Sequence, residues 1–221
     1  PELIDEIIKR EKTRNNVIYN RSDICVTTGV TESLQMLLNA SLDPNDELLI
    51  PGPTYPQYTL ITRFNGALPI PYRTIEEEGW RPDPDYIRKR ISNRTKGIVV
   101  INPNNPTGAL YSKETIKNII DIAGEYNVPV ISDEIYDDMI FDKKQFATAS
   151  LTKDVPVITF NGFSKVYLVP GWRMGYVMFK HNGELDEVTD AFFRIARSRL
   201  CANSVCQRAC IGALKGPQDH I

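Results

Sequence analysis

The chain has few of the residues that most often carry metal or disulfide chemistry. Its 221 residues include four cysteines, Cys25, Cys201, Cys206 and Cys210, and two histidines, His181 and His220. No two cysteines form a C-x-x-C pair, and the histidines fall in polar or terminal stretches. This argues against a zinc centre, a redox pair and a histidine-based triad. Cys206 and Cys210 share a helix face, which leaves a metal or redox role open there. The simpler expectation is that all four are small buried apolar residues in a reduced compartment, and that both histidines lie at the surface. Net charge is only -2, so there is no basic footprint for nucleic acid. No apolar run reaches the length of a membrane span, and no signal peptide opens the chain; a cytoplasmic location is expected. The sequence contains no G-x-G-x-x-G and no G-x-x-x-x-G-K, which removes the usual support for dinucleotide and P-loop readings. There is no internal repeat and no low-complexity segment. The first residue is Pro1, and a helical pattern is already under way, so a piece of a longer protein is expected.

What is present is a recurring unit of apolar run, turn and amphipathic stretch. With 42% hydrophobic and 24% charged residues, the length suits one α/β domain, or one domain and part of another. Apolar runs at 24–28, 46–50, 67–72, 97–101, 128–131, 155–160 and 175–179 read as strands. Helical periodicity follows at 1–12, 30–40, up to 64, 83–91, 112–126 and, as one long helix, 185–214. Residues 13–23 read as polar loop, and Asp142, Lys143 and Lys144 as a solvated hairpin tip. The expected fold is a three-layer α/β/α sandwich around a mainly parallel sheet.

Chemistry-bearing residues collect where the strands end, which is where ligands sit in open parallel sheets. The central stretch is Phe160-Asn161-Gly162-Phe163-Ser164-Lys165, followed by Gly171-Trp172-Arg173. A lysine just past a buried strand is expected to lose hydration, which frees its amine to attack a carbonyl. Arg173 forks well onto phosphate, and Ser164 adds a hydroxyl. A compound with both a carbonyl and a phosphate, such as pyridoxal 5'-phosphate, would use all three. Gly29-Val30-Thr31 is a strand-to-helix turn, hence an anion site or an ordinary α/β turn. Tyr55, in the loop Pro53-Thr54-Tyr55-Pro56, is either a stacking platform for a planar ligand or a core plug. Asn105, in Asn102-Pro103-Asn104-Asn105-Pro106-Thr107-Gly108, either bonds its own backbone or offers an amide to a ligand. Asp133 ends a buried strand and needs a donor or a cation, which a pyridinium, a salt bridge or a helix cap would supply. Tyr136, three residues on, could donate to a ring hydroxyl.

In this order and spacing these motifs resemble class I/II aminotransferases, which are fold-type-I pyridoxal phosphate enzymes; six of them run over nearly the whole chain. The stretches 100–108, 159–165 and Arg199-Leu200-Cys201-Ala202-Asn203 are most similar to the alanine aminotransferase branch. The resemblance implies that Lys165 forms the internal aldimine and moves the substrate proton, and that Asp133 pairs with the pyridine nitrogen. Tyr136 and Asn105 would bond the ring oxygen, Asn105 also facing the substrate carboxylate. Tyr55 would stack on the ring, while Gly29, Val30, Thr31, Ser164 and Arg173 would hold the phosphate. Many relatives carry a serine two residues before Ser164, where this chain has Gly162, so one phosphate donor is expected to be missing.

The family places its carboxylate-binding arginine in a C-terminal small domain and sends an upstream tyrosine to the partner subunit. Residues 1–221 are therefore expected to be the cofactor-binding large domain, with the start of an inter-domain helix near 185–215 and both other parts absent. The implied activity is ping-pong transfer of an amino group from an amino acid to a 2-oxo acid, alanine and 2-oxoglutarate among the candidates, in a homodimer. The rival expectations are a fold-type-I lyase or synthase and a non-catalytic pyridoxal-phosphate-sensing domain of a transcriptional regulator. The first would consume an amino donor without needing a 2-oxo acid. The second would need a basic helix-turn-helix segment.

Overall fold

The computed structural model describes residues 2–141, 143–219 and 221. Asp142 and His220, two of the positions assigned above to the surface, lie outside the described residues, as does Pro1.

Among the described residues, eight strands form one sheet. They are β1 (Ile24–Thr27), β2 (Glu47–Gly52), β3 (Leu68–Ile75), β4 (Arg81–Pro82), β5 (Thr95–Ile101), β6 (Val130–Asp133), β7 (Val157–Gly162) and β8 (Gly175–Lys180). Their order is β1-β8-β7-β6-β5-β2-β3-β4. The run from β7 to β3 is parallel throughout. β8 is antiparallel to both β7 and β1, and the short β4 is antiparallel to β3. The expected mainly parallel sheet is therefore present.

Strand residues alternate between two cores, as the period of two requires. Ile98, Val100, Val130 and Val157 face one side, together with residues of helices α1 (Glu2–Arg10), α4 (Pro84–Arg90) and α5 (Lys113–Glu125). Val99, Ile101, Ile131, Ile158 and Phe160 face the other, with α2 (Val30–Ser41), α3 (Pro56–Phe64) and α6 (Asp186–Ser198). This sheet between two helical layers is the expected α/β/α architecture. Local chemistry sets the helix starts: Ser112 accepts from the Thr115 amide, and Asp83 caps the amide of Tyr86.

Several expectations need correction. The long helix at 185–214 is two helices, α6 and α7 (Ser204–Lys215). Leu200 has φ of 75°, a left-handed conformation that stops α6, and Asn203 caps α7 through the amides of Val205 and Cys206. The loop at 13–23 is less irregular than expected: a π-helical turn covers Glu11–Asn15, and Val17 and Tyr19 are core residues. Lys143 and Lys144 are exposed, but among the described residues no strand pair flanks them, so they do not tip a hairpin. Only Cys25 and Cys210 are buried, while Cys201 is exposed. His181 is half-buried beside Asp186. Among the described residues there is no metal-ligating cluster and no helix long and apolar enough to cross a membrane.

Candidate active site

The parallel strands all end on one rim, and the residues singled out in the sequence meet there. A cavity of about 170 Å³ is lined by Val30, Thr31, Tyr55, Asn105, Asp133, Tyr136, Ser164, Lys165 and Arg173, together with Tyr58 and the apolar Leu34, Ile101, Ile135 and Pro170. The register explains this convergence. Ile101 pairs with Asp133 and Asp133 with Phe160, while Gly175 pairs with both Gly162 and Thr27. Each chemistry-bearing turn therefore leaves the sheet at nearly the same level.

One end of the cavity carries donors that could hold an anion. Thr27 Oγ1 bonds the Gly29 carbonyl at 3.1 Å and lies 2.6 Å from Ser33 Oγ, which fixes the turn into α2. Gly29 caps α2 without a side chain, so the first amides of the helix face outward with the positive end of its dipole. Gly29 itself does not line the cavity. It lets Arg173 approach, because a Cβ at 29 would lie 2.5 Å from Arg173 Nη2. Arg173 has φ of 52° and donates from Nη1 to the Pro170 carbonyl at 2.9 Å. Among the described residues it forms no ion pair, so its charge is available to a ligand.

Close backbone packing brings these pieces together. A Cβ on Gly175 would come within 2.7 Å of the Val30 amide nitrogen. One on Gly162 would come within 2.8 Å of the Met174 carbonyl. Gly162 does not line the cavity, and its close packing against Met174 and Gly175 leaves no room for a side chain.

The opposite end is built around Asp133, which is 4% exposed. Its Oδ2 accepts from Tyr58 Oη at 2.8 Å and its Oδ1 from the Ile135 amide at 3.2 Å. Burial pushes its carboxyl up to about 6, against the pull of the Tyr58 and Ile135 donors and of the Lys165 charge. Asp133 has no ion-pair partner among the described residues, so the salt-bridge alternative is not met. Glu134 points to the other face, where Ser132 Oγ and the Thr148 amide hold it at 2.9 Å each; burial raises it to about 7. Asn105 Nδ2 lies 3.4 Å from Tyr136 Oη. Lys165 Nζ sits 5.7 Å from the centre of the Tyr136 ring.

Lys165 departs from expectation in one respect: it is exposed. β7 ends at Gly162, and Phe163 takes the buried place beyond it. Ser164 and Lys165 therefore lie past the sheet rim, Ser164 half-buried and Lys165 open to solvent.

Tyr58 was missed in the sequence. In α3 it reads as an apolar helix position, and nothing local signals a partner in another strand.

The donor set fits a ligand with three features. These are an anionic end against Arg173 and the α2 turn, an aldehyde within reach of the Lys165 amine, and a protonated ring nitrogen against the buried Asp133. Pyridoxal 5'-phosphate has all three.

These elements form a polar cavity at the strand ends of an open, mainly parallel sheet, and comparison with known proteins gives the class. A family model described as aminotransferase class I and II matches residues 1–221. The chain belongs to that family. It is 39% identical over 203 residues to an alanine aminotransferase of Mycobacterium tuberculosis, covering 91% of this chain and 47% of the relative. It is 40% identical over 201 residues to the glutamate-pyruvate aminotransferase AlaA of Escherichia coli, covering 89% and 49%. Among solved structures, an alanine aminotransferase from Pyrococcus furiosus superposes with a TM-score of 0.98 at 55% identity, covering all of this chain and 56% of that one. The chain thus spans about half the length of the curated relatives it matches.

Proposed function

We propose that this chain supplies the pyridoxal-phosphate-holding part of an aminotransferase that moves an amino group from an amino acid to a 2-oxo acid. The observation that carries the reading is one cavity lined by three chargeable groups that form no ion pair among the described residues: the Lys165 amine, the Arg173 guanidinium and the buried carboxylate of Asp133. When bound, the cofactor supplies an aldehyde for the amino group and a ring that accepts electrons. Arg173, Ser164 and the α2 turn would hold its phosphate. Tyr55 would flank the ring, and Tyr136 and Asn105 would bond the ring oxygen. Asp133 would keep a proton on the ring nitrogen, the electrostatic condition for drawing charge into the ring. Lys165 Nζ would take and return the proton at the substrate Cα. The alanine aminotransferase from Pyrococcus furiosus supports alanine and a 2-oxo acid as the substrate pair.

The test is to add pyridoxal phosphate to the protein, reduce with borohydride, digest, and weigh the peptides. The expected label is on the peptide carrying Lys165. Label on another lysine, or none, contradicts the proposal.

A further inference from the structure

We infer that Asp137 is a positioning residue that sets where Lys165 stands relative to Tyr136; the inference rests on the cofactor reading above. β6 and β7 are paired only as far as Asp133 and Phe160, with one further bond from the Glu134 amide to the Phe160 carbonyl at 2.9 Å. Beyond that point the turn 135–138 leaves the sheet, while β7 runs on to Gly162 paired only with β8, and Ser164 and Lys165 follow past its end. Among the described residues no backbone hydrogen bond joins the turn to the segment 161–165. Tyr136 lies on the turn and Lys165 just past the end of β7, so pairing between β6 and β7 does not fix their separation.

Among the described residues one side-chain hydrogen bond spans the gap, beside the looser approach of Lys165 Nζ to the Tyr136 ring. Asp137 Oδ2 accepts from Asn161 Nδ2 at 2.9 Å, and Asn161 Oδ1 accepts from the Gly162 amide at 2.7 Å. The asparagine therefore has its amide oriented by its own strand, and it presents the other end to the carboxylate next to Tyr136. α1 holds that carboxylate from behind: Arg10 Nη2 donates to the same Oδ2 at 2.6 Å. Arg14, from the π-helical turn, donates to the Asp137 carbonyl at 2.9 Å.

Asp137 is buried, and its Oδ1 has no partner. Burying an incompletely satisfied carboxylate and its arginine is poor stabilisation, and an apolar pair of the same volume would serve stability as well. A charged, directional link instead confers a fixed geometry. Lysine has a long flexible stem, so its amine can be delivered to one place only if its backbone anchor is held. A misplacement of about 1 Å between reacting groups costs on the order of a hundredfold. Asp137 touches no reacting atom and acts through Asn161 and Tyr136.

Two ligands separate positioning from plain support of the fold. Pyridoxal phosphate is captured covalently by Lys165, whereas pyridoxamine phosphate fills the same cavity without bonding to the lysine. Dissociation constants for both are measured by fluorescence quenching in the parent, in Asn161→Ala and in Asp137→Asn. Asn161→Ala keeps the Arg10–Asp137 pair, so it decides the matter alone if Asp137→Asn fails to fold. The expected result is a loss of about tenfold or more for pyridoxal phosphate, with pyridoxamine phosphate weakened less than about threefold. Equal loss for both ligands, or no loss for either, overturns the inference while leaving the cofactor reading intact. A parent protein that binds neither ligand overturns the cofactor reading, and the inference with it.

Discussion

Tyr58 Oη donates to Asp133 Oδ2 at 2.8 Å, joining two residues 75 positions apart in the chain. Both are buried, and this bond opposes the rise that burial imposes on the carboxyl. Tyr58→Phe removes the donor without changing the packed volume, so the Asp133 carboxyl moves above its present value of about 6. Hydrogen bonds to charged groups are worth about 1.5–3 kcal/mol. The titration profile of the Asp133 carboxyl in the cofactor-free protein, read by carbon-13 NMR, should therefore shift upward by about one pH unit or more. A profile that overlays the parent's means that the tyrosine does not tune the carboxylate.

Asp133 also makes a prediction about stability without cofactor. Its folded value of about 6 lies above the reference of 3.8. A carboxyl raised on folding exerts no penalty below its unfolded value. The penalty grows as pH rises from about 4 to about 6 and is complete above that. A rise of roughly two units corresponds to about 3 kcal/mol. Asp133→Asn, which can still accept from Tyr58, should make the cofactor-free protein more stable at pH 8 by an amount of that order, and should leave it unchanged at pH 4. Its turnover should nevertheless collapse, since an amide cannot hold a proton on the ring nitrogen. Urea unfolding at the two pH values gives the first half. A constant gap between the variants at both pH values would falsify the linkage.

Much of this site was legible because it is made of turns. Glycine, proline and asparagine mark the ends of buried runs, and every run except β4 was readable from its apolar residues. Two residues of β4 carry no periodicity to read. The break between α6 and α7 had a local signal, since Asn203 is a preferred N-cap residue. The helical pattern on both sides hid it. Contacts that depend on packing across the sheet had no such signal. Tyr58 reads as core filler, and Arg10 as the polar face of α1; that each reaches a carboxylate in another element follows only from the fold. The hydration of Lys165 was misjudged for a related reason. The sequence shows that a strand precedes it, but not that the strand stops at Gly162 with Phe163 absorbing the burial.

Lys165→Ala isolates the amine. The residue is exposed and forms no ion pair among the described residues, so the thermal midpoint should stay near the parent's, within about 0.5 kcal/mol of stability. Transamination should be abolished, because nucleophile and base are lost together. Activity within tenfold of the parent's, in folded protein, would remove Lys165 from the chemistry.

Gly29 tests the anion end of the cavity. Its φ of 79° is strained for any other residue, at a cost of about 1–3 kcal/mol. A Cβ there would also lie 2.5 Å from Arg173 Nη2. The clash is with the tip of a long side chain, so the guanidinium can swing aside without breaking the sheet. Gly29→Ala should therefore fold with reduced stability, but with Arg173 displaced from the turn that it shares with Val30 and Thr31. The ligand pair that reads this out is pyridoxal phosphate and pyridoxal, which differ only at the phosphate. Loss of one charge-assisted fork should weaken the phosphorylated ligand by about tenfold or more and leave pyridoxal unchanged. Arg173→Lys should show the same selectivity, because a point charge replaces the planar fork without disturbing Gly29. If both variants weaken the two ligands equally, the Gly29–Arg173 contact shapes the cavity as a whole and the phosphate is bound elsewhere.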